Sequence, residues 1–401
     1  MIRLQSRATR LLSLAIILAP ATAGTAQEEP VPEPTLGALE TTFPAGFGNI
    51  RGLRELPSGR VLLADGLGQA LVLLDLAAGT ADTIGRVGQG PDEYRLPDAL
   101  FPLPADSTLL VDLGNGRLTV LGPDLGFGET TPIARQAAAG GMSLVIPRGT
   151  DAVGRIYFQA SAVAFDGRLP DSAGIVRWNR RSGAMDTVAR VKLRERRRSS
   201  SGGANDRQVR LMPVPFSAQD AWAVGPDGRV AVARADVNRS AEYRLDWIQP
   251  EGRLQRGPPV PYRRVPVRKA DREEWLASLS GGLRMSITDD NGRIRTSFSR
   301  GGGGRNPLAA NLEALDWPDT KPAFPASAVR IARDGRAWVE RHVPAGQARR
   351  FDVFGPDGRR LGRVALPEGR DLVAFGKDVV YLKRKDAVDF EWLERYRSPN
   401  L

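Results

Sequence analysis

One stretch recurs along the chain and constrains it more than any other feature. Its clearest copy is Pro57-Ser58-Gly59-Arg60-Val61-Leu62-Leu63-Ala64-Asp65: a turn, a short apolar strand and a polar end. Cousins begin at Ser58-Gly-Arg, Asp106-Ser-Thr, Val153-Gly-Arg, Asp227-Gly-Arg, Asp334-Gly-Arg and Lys377-Asp-Val, which makes six. Each opens with Gly or Asp types that accept the geometry of a tight hairpin turn, and continues with β-branched, aromatic or leucine residues suited to a buried strand. A second strand-turn-strand follows most copies, as in Phe351-Asp-Val-Phe-Gly-Pro-Asp-Gly and Leu245-Asp-Trp-Ile-Gln-Pro-Glu-Gly. Pro sets φ at the first corner of such a turn and Gly takes the positive φ. One unit is therefore about four antiparallel strands, the make-up of a propeller blade.

Six such units predict an all-β, six-bladed β-propeller over residues 38–401. A generic β-sandwich accounts for short strands but not for six spaced copies. The last unit runs out after Phe390-Glu-Trp-Leu-Glu-Arg-Tyr, one strand short, and Leu39-Glu-Thr-Thr-Phe-Pro offers a spare. A ring without an exposed sheet edge results if that first strand completes the last blade.

Residues 1–26 read as a secretory signal: Arg3, Arg7 and Arg10 precede the apolar run Leu11 to Ala19, and Gly24-Thr25-Ala26 suits a signal peptidase. The run is short for a transmembrane helix; an uncleaved anchor is the alternative, and no transmembrane segment is expected after cleavage. The expected location is periplasmic or secreted. The chain has no Cys, so neither a lipid on sulfur nor a disulfide is available. Residues 27–37, rich in Pro and Glu, read as a flexible leader.

Gly85-Arg-Val-Gly-Gln-Gly-Pro-Asp-Glu-Tyr-Arg-Leu-Pro97, followed by Leu109-Leu-Val-Asp-Leu-Gly-Asn-Gly-Arg-Leu-Thr-Val120, resembles an NHL-type repeat. Glu93, Tyr94, Pro97, Asp112, Asn115 and Arg117 fall on that family's pattern. The chain also resembles exported bacterial six-bladed propellers. The motif match covers roughly residues 48 to 130 and then decays, so the resemblance implies a fold rather than an activity.

Two stretches break the spacing: 194–217, with Arg196, Arg197 and Arg198, and 268–324, between blades four and five. The second begins with a short helix, for which Asp271 is the expected cap and Glu274 the capping-box partner. A hairpin of Met285-Ser-Ile-Thr and Arg293-Ile-Arg-Thr around Asn291-Gly292 follows. In a propeller, links between blades share a face with the turns joining second and third strands. Both insertions are therefore expected to rise from one face, side by side. The same face should collect Glu93, Tyr94 and His342, with Trp275, Phe298, Trp317 and Phe324 as an apolar wall. Arg196 to Arg198 suit an anionic ligand through forked hydrogen bonds.

The net charge is +11, and losing Arg3, Arg7 and Arg10 with the signal leaves +8. Such charge fits anionic small molecules or polysaccharides, or an arginine-rich codon usage. Export and an aromatic content of 6% argue against single-stranded nucleic acid. His342 is the only histidine, no Gly-x-Ser-x-Gly elbow accompanies it, and one histidine makes no multi-His metal site. Gly85-x-x-Gly-x-Gly has no helix after it and reads as an inter-blade turn rather than a phosphate loop. Asp65 and Asp112 end equivalent strands. Either each satisfies the backbone of the following turn, or they hold calcium in the channel as in some six-bladed lactonases.

The first reading is a monomeric binding or interaction module with no catalytic set and no cofactor, its partner an unknown protein or an anionic molecule. The enzyme alternative is a propeller lyase or lactone hydrolase with a divalent metal, calcium, in the channel. A structural part of an envelope assembly is a third class.

Overall fold

The computed structural model describes residues 31–136, 142–160, 170–201, 208–235, 241–280, 283–290, 293–300 and 315–400. The signal-like segment 1–26 and the run Gly301 to Gly304 lie outside them. The chain forms six blades around a central channel. Their innermost strands are Ile50–Glu55, Pro97–Pro102, Pro147–Thr150, Ala221–Val224, Val329–Ile331 and Arg370–Phe375. Three further antiparallel strands extend each blade outward.

The recurring stretch is the hairpin between the first and second strands of each blade, and one backbone position explains it. Gly59 (φ 82), Gly154 (φ 84), Gly228 (φ 79) and Gly335 (φ 82) occupy the left-handed region there. Asp106 (φ 55) and Asp378 (φ 58) do so in the two copies without glycine. A β-branched residue would be strained in that conformation. The Asp-Gly-Arg spelling adds a local bond: Asp334 Oδ1 accepts the Arg336 N–H at 2.9 Å, and Asp227 Oδ1 the Arg229 N–H at 3.1 Å.

Ring closure uses the N-terminal strand. Leu39–Phe47 pairs antiparallel with Glu391–Arg397 as the outermost strand of blade six. Before it, residues 31–37 of the stretch read as a flexible leader run along blade five and reach the last strand of blade six. Arg363 N donates to Pro32 O at 2.8 Å, Thr35 bridges Ala365, and Gly37 N donates to Arg397 O at 3.1 Å.

The core is six clusters, one at each blade–blade interface. Strand residues alternate between the two sheet faces, and here both faces are buried. Val61 and Leu63 pack toward blade six, whereas Leu62 and Ala64 pack toward blade two. Val380 and Leu382 pack toward blade five, and Tyr381 toward blade one. Each fully buried aliphatic side chain contributes about 1.5–3 kcal/mol.

Blade four departs from the four-stranded pattern. Its outer edge is two short pieces, Leu254–Gln255 and Val260–Pro261, both paired with Glu242–Ile248. Pro258 and Pro259 between them lack the N–H that a continuous ladder needs.

The described parts of the insertions form elements of their own. The first is a hairpin, Arg196–Ser201 with Gln208–Pro213. The second holds the helix Lys269–Ser280 and the expected hairpin, Leu283–Asp290 with Arg293–Arg300. Asp271 is not the cap. It lies in the first turn, and its Oδ2 accepts the Arg268 N–H at 2.8 Å, which is the carboxylate half of a capping box. Glu274 is exposed on the helix.

Candidate functional site

The two insertions meet. Phe216, at the foot of the first (φ 46), has its ring 6.3 Å from Trp275 and 6.1 Å from Trp317 of the second. The His342 ring lies edge-on to Phe216 at 5.8 Å, and Trp275 meets Trp317 at 5.4 Å. Arg197 pairs with Asp316 at 2.6 Å across the outside. Beneath the rings a buried ion pair ties the helix to the link: Lys321 Nζ lies 2.7 Å from Asp271 Oδ1. Lys321 also donates to Val343 O at 2.8 Å, and Asp271 Oδ1 accepts the Ala345 N–H at 2.8 Å. These bonds hold the Asp271 carboxyl below its ordinary range despite its burial.

His342 belongs to this structural cluster. Its Nδ1 is 2.9 Å from Pro322 O, which assigns the ring proton to Nδ1. Burial, with the Lys321 and Arg341 cations nearby, pushes its pKa down to about 4, so the ring is neutral at pH 7.

The same face opens into a cavity of about 410 Å³ at the channel mouth. Arg148, Lys192, Arg194 and Arg196 line it, with Gln159 and a single acid, Asp220. That acid is engaged: Arg234 Nη1 lies 2.7 Å from Asp220 Oδ2, which also accepts the Lys192 N–H at 2.8 Å. Arg148 stands 5.2 Å over the Trp222 ring and pairs with no acid among the described residues. Enclosure in the channel and the nearby Arg330 guanidinium push its pKa down to about 10. Desolvation and Arg196 lower that of Arg194. A second cavity, about 180 Å³, adjoins the first through Ser327 and is lined by Arg330, Glu340, Arg349 and Asp371. Arg349 bridges Glu340 and Asp371, and although burial opposes it, those two carboxylates raise its pKa.

The other residues singled out above divide by location. Arg196 lines the larger cavity, Arg197 is in the ion pair with Asp316, and the Arg198 side chain lies outside the described residues. Trp275, Trp317 and His342 form the seam between insertions. Phe324 is buried in the core between blades four and five rather than in a pocket wall; the Phe298 side chain lies outside the described residues.

Tyr94 is buried between blades one and two, where its hydroxyl accepts the Leu71 N–H at 2.9 Å and its ring stacks on Phe127. Glu93 faces its own turn. The Arg86 guanidinium at 2.8 Å and the Gly90 N–H at 2.6 Å bind its carboxylate and lower its pKa. The residues of the NHL-like pattern staple this link to blade two. Asp112 accepts the N–H groups of Arg95, Leu96 and Asn115, Asn115 donates to Gly88 O, and Arg117 reaches the carbonyls of Gln89, Gly90 and Glu93.

Asp65 accepts four backbone N–H groups, from Gly48, Asn49, Leu67 and Gly68. Carboxylates ringed by N–H donors do not fit calcium, which takes oxygen ligands around its whole shell. Among the described residues no group of three or more His, Cys, Asp or Glu side chains is placed to hold a metal.

Arg148, Lys192, Arg194 and Arg330 went unnoticed in the sequence. The signal was there in two of them: a cation inside an innermost strand, in Pro147-Arg148-Gly149 and Val329-Arg330-Ile331.

No family model and no curated protein matches the chain. Solved structures similar to it include a gluconolactonase from Xanthomonas campestris, at 11% identity over 92% of this chain and 98% of that one, with a TM-score of 0.41. Another is the calcium-binding protein regucalcin from Agrobacterium tumefaciens, at 12% identity over 91% and 97%, TM-score 0.41. Virginiamycin B lyase from Staphylococcus aureus follows, at 9% over 90% and 98%, TM-score 0.37. No helix of the described residues is long and apolar enough to cross a membrane.

Proposed function

We propose that this protein is an exported binding propeller that takes an anionic small molecule, or the end of an anionic polysaccharide, at the channel mouth beside the two insertions. One observation carries the reading. Arg148, Arg194 and Arg196 converge on a cavity of about 410 Å³ whose single acid, Asp220, is already bound to Arg234. Guanidiniums that pair with no carboxylate among the described residues, in a partly desolvated recess, favour an incoming anion, and their planar forks suit carboxylate, sulfate or phosphate. Export rests on residues 1–26, and the monomeric state on a closed ring whose blades leave only short outer edges.

The test is calorimetry of the mature protein against carboxylated and sulfated oligosaccharides and simple carboxylates, at low and high salt. Arg148→Gln and Arg196→Glu should each weaken binding about tenfold or more, the order of one lost charge-assisted contact. Equal binding after both substitutions sinks the reading. The enzyme alternative would show instead as a melting temperature raised by calcium.

A further inference from the structure

The smaller cavity holds opposite charges that do not close on each other. Its volume is about 180 Å³, near the roughly 150 Å³ that holds one benzene in an engineered protein cavity. Four ionised groups line it: Arg330, Glu340 and Arg349 of blade five, and Asp371 of blade six. Arg349 lies between the two acids and bonds one oxygen of each, Glu340 Oε1 at 2.5 Å and Asp371 Oδ1. One cation against two carboxylates leaves that wall negative. Glu340 Oε2 and Asp371 Oδ2 accept no hydrogen bond among the described residues. Arg330 is turned away from both acids. Its Nη1 donates to Ser327 O at 2.8 Å and Val329 O at 3.2 Å, and it pairs with no acid among the described residues. Its other edge, Nε and Nη2, keeps its N–H groups free there. Glu340 is still near enough to oppose the desolvation that lowers the Arg330 pKa, so the two poles share one space.

Separated poles in a partly desolvated space are each short of a partner. A simple anion would satisfy Arg330 but be repelled by the acidic wall, and a simple cation would meet the reverse. A zwitterion satisfies both. Phe351 and Leu372 complete the lining with apolar surface for a short aliphatic chain. We propose that the smaller cavity is a binding site for a small aliphatic α-amino acid, with its carboxylate on the free edge of Arg330 and its ammonium on Glu340 and Asp371. A carboxylate matches the guanidinium fork, and an ammonium carries donors enough for both acids. This site uses none of the cations of the larger cavity and does not depend on the anion-binding reading above.

The experiment is calorimetry of the mature protein at pH 7 with L-valine, isobutylamine and isovalerate, which share one branched chain and carry both poles, the ammonium alone and the carboxylate alone. L-Valine should bind about tenfold tighter or more than either analogue, as expected of one added charge-assisted contact. Arg330→Gln should bring L-valine down to the affinity of isobutylamine, and Glu340→Gln should weaken it toward that of isovalerate. Thermal melts of both variants check that they fold, and the three ligands on the wild-type protein decide the matter if they do not. Arg148→Gln, in the larger cavity, should leave L-valine affinity unchanged. Isovalerate binding as tightly as L-valine, with both lost in Arg148→Gln, would place these ligands in the anion cavity and overturn the amino-acid site while leaving the anion-binding reading standing. Isobutylamine matching L-valine, or no heat from L-valine, overturns the amino-acid site as well.

Discussion

The link between blades one and two and the link between blades three and four leave from the same face, yet they use charge in opposite ways. In the first, three charged groups are turned on the link itself: Glu93 on Arg86 and Gly90, Asp112 on the backbone of Arg95 and Leu96, Arg117 on three carbonyls. In the second, Lys192, Arg194 and Arg196 line a cavity whose single acid, Asp220, is bound to Arg234. The NHL-like pattern is strongest where the chain is stapling itself shut and has decayed where the cations gather. A motif that repeats from blade to blade solves a problem common to all blades, which is closing a link against its sheet. A binding site occurs once, so it breaks the repeat.

This contrast can be tested at three places. The largest effect is expected at the anchor of the second insertion. Lys321→Met leaves the buried Asp271 carboxylate without its cation, which costs about 3–5 kcal/mol. Amide exchange should rise in the helix Lys269–Ser280 while the link at residues 86–95 keeps its protection. Loss of protection throughout the ring would mean that the insertion is part of the propeller's own stability.

Next is Asp112→Ala, which removes a fully buried acceptor and leaves the N–H groups of Arg95, Leu96 and Asn115 unsatisfied. The expected cost is about 2–3 kcal/mol in urea unfolding, with anion affinity at the channel mouth unchanged. A parallel fall in affinity would blur the distinction between the two links.

The smallest effect is at His342. Its folded pKa of about 4 lies below the ordinary value near 6.5, so between those limits the unfolded chain binds more protons. The stability that neutral His342 confers is complete above about pH 6.5 and is lost as pH falls toward 4. The slope is at most about 1.4 kcal/mol per pH unit, and lower for a half-buried ring. Urea melts at pH 7 and 4.5 should show a smaller loss for His342→Gln than for wild type. The same substitution should leave anion affinity at pH 7 near the wild-type value. A large drop would move His342 from the seam between insertions into the binding site.

The sequence announced the blades because turns and strand alternation are local. A left-handed residue at Gly59, Gly154, Gly228 and Gly335, followed by apolar residues, specifies a hairpin wherever it occurs. Six such hairpins and one missing strand leave little choice but a ring closed by Leu39–Phe47. The common face of the insertions was legible for the same reason, since strands that alternate in direction send alternate connections to the same side.

The fate of individual side chains was not legible. Glu93 and Tyr94 read as ligand-binding residues of the insertion face, but the link folds inward, one carboxylate closing its turn and one ring filling the core. Trp275 and Trp317 read as a pocket wall, but Phe216 and His342 fill the space between them. Asp271 looked like a helix cap, and its partner Lys321 lies at the far end of the insertion. Arg330 and Asp371 sit in different blades, and nothing in the neighbourhood of either announces the other. Local geometry is set by φ and by the alternation of side chains, so sequence alone determines it. Which charges end up neutralised, and which face a shared cavity, depends on the curvature that seats each blade against the next, and only the closed ring decides that.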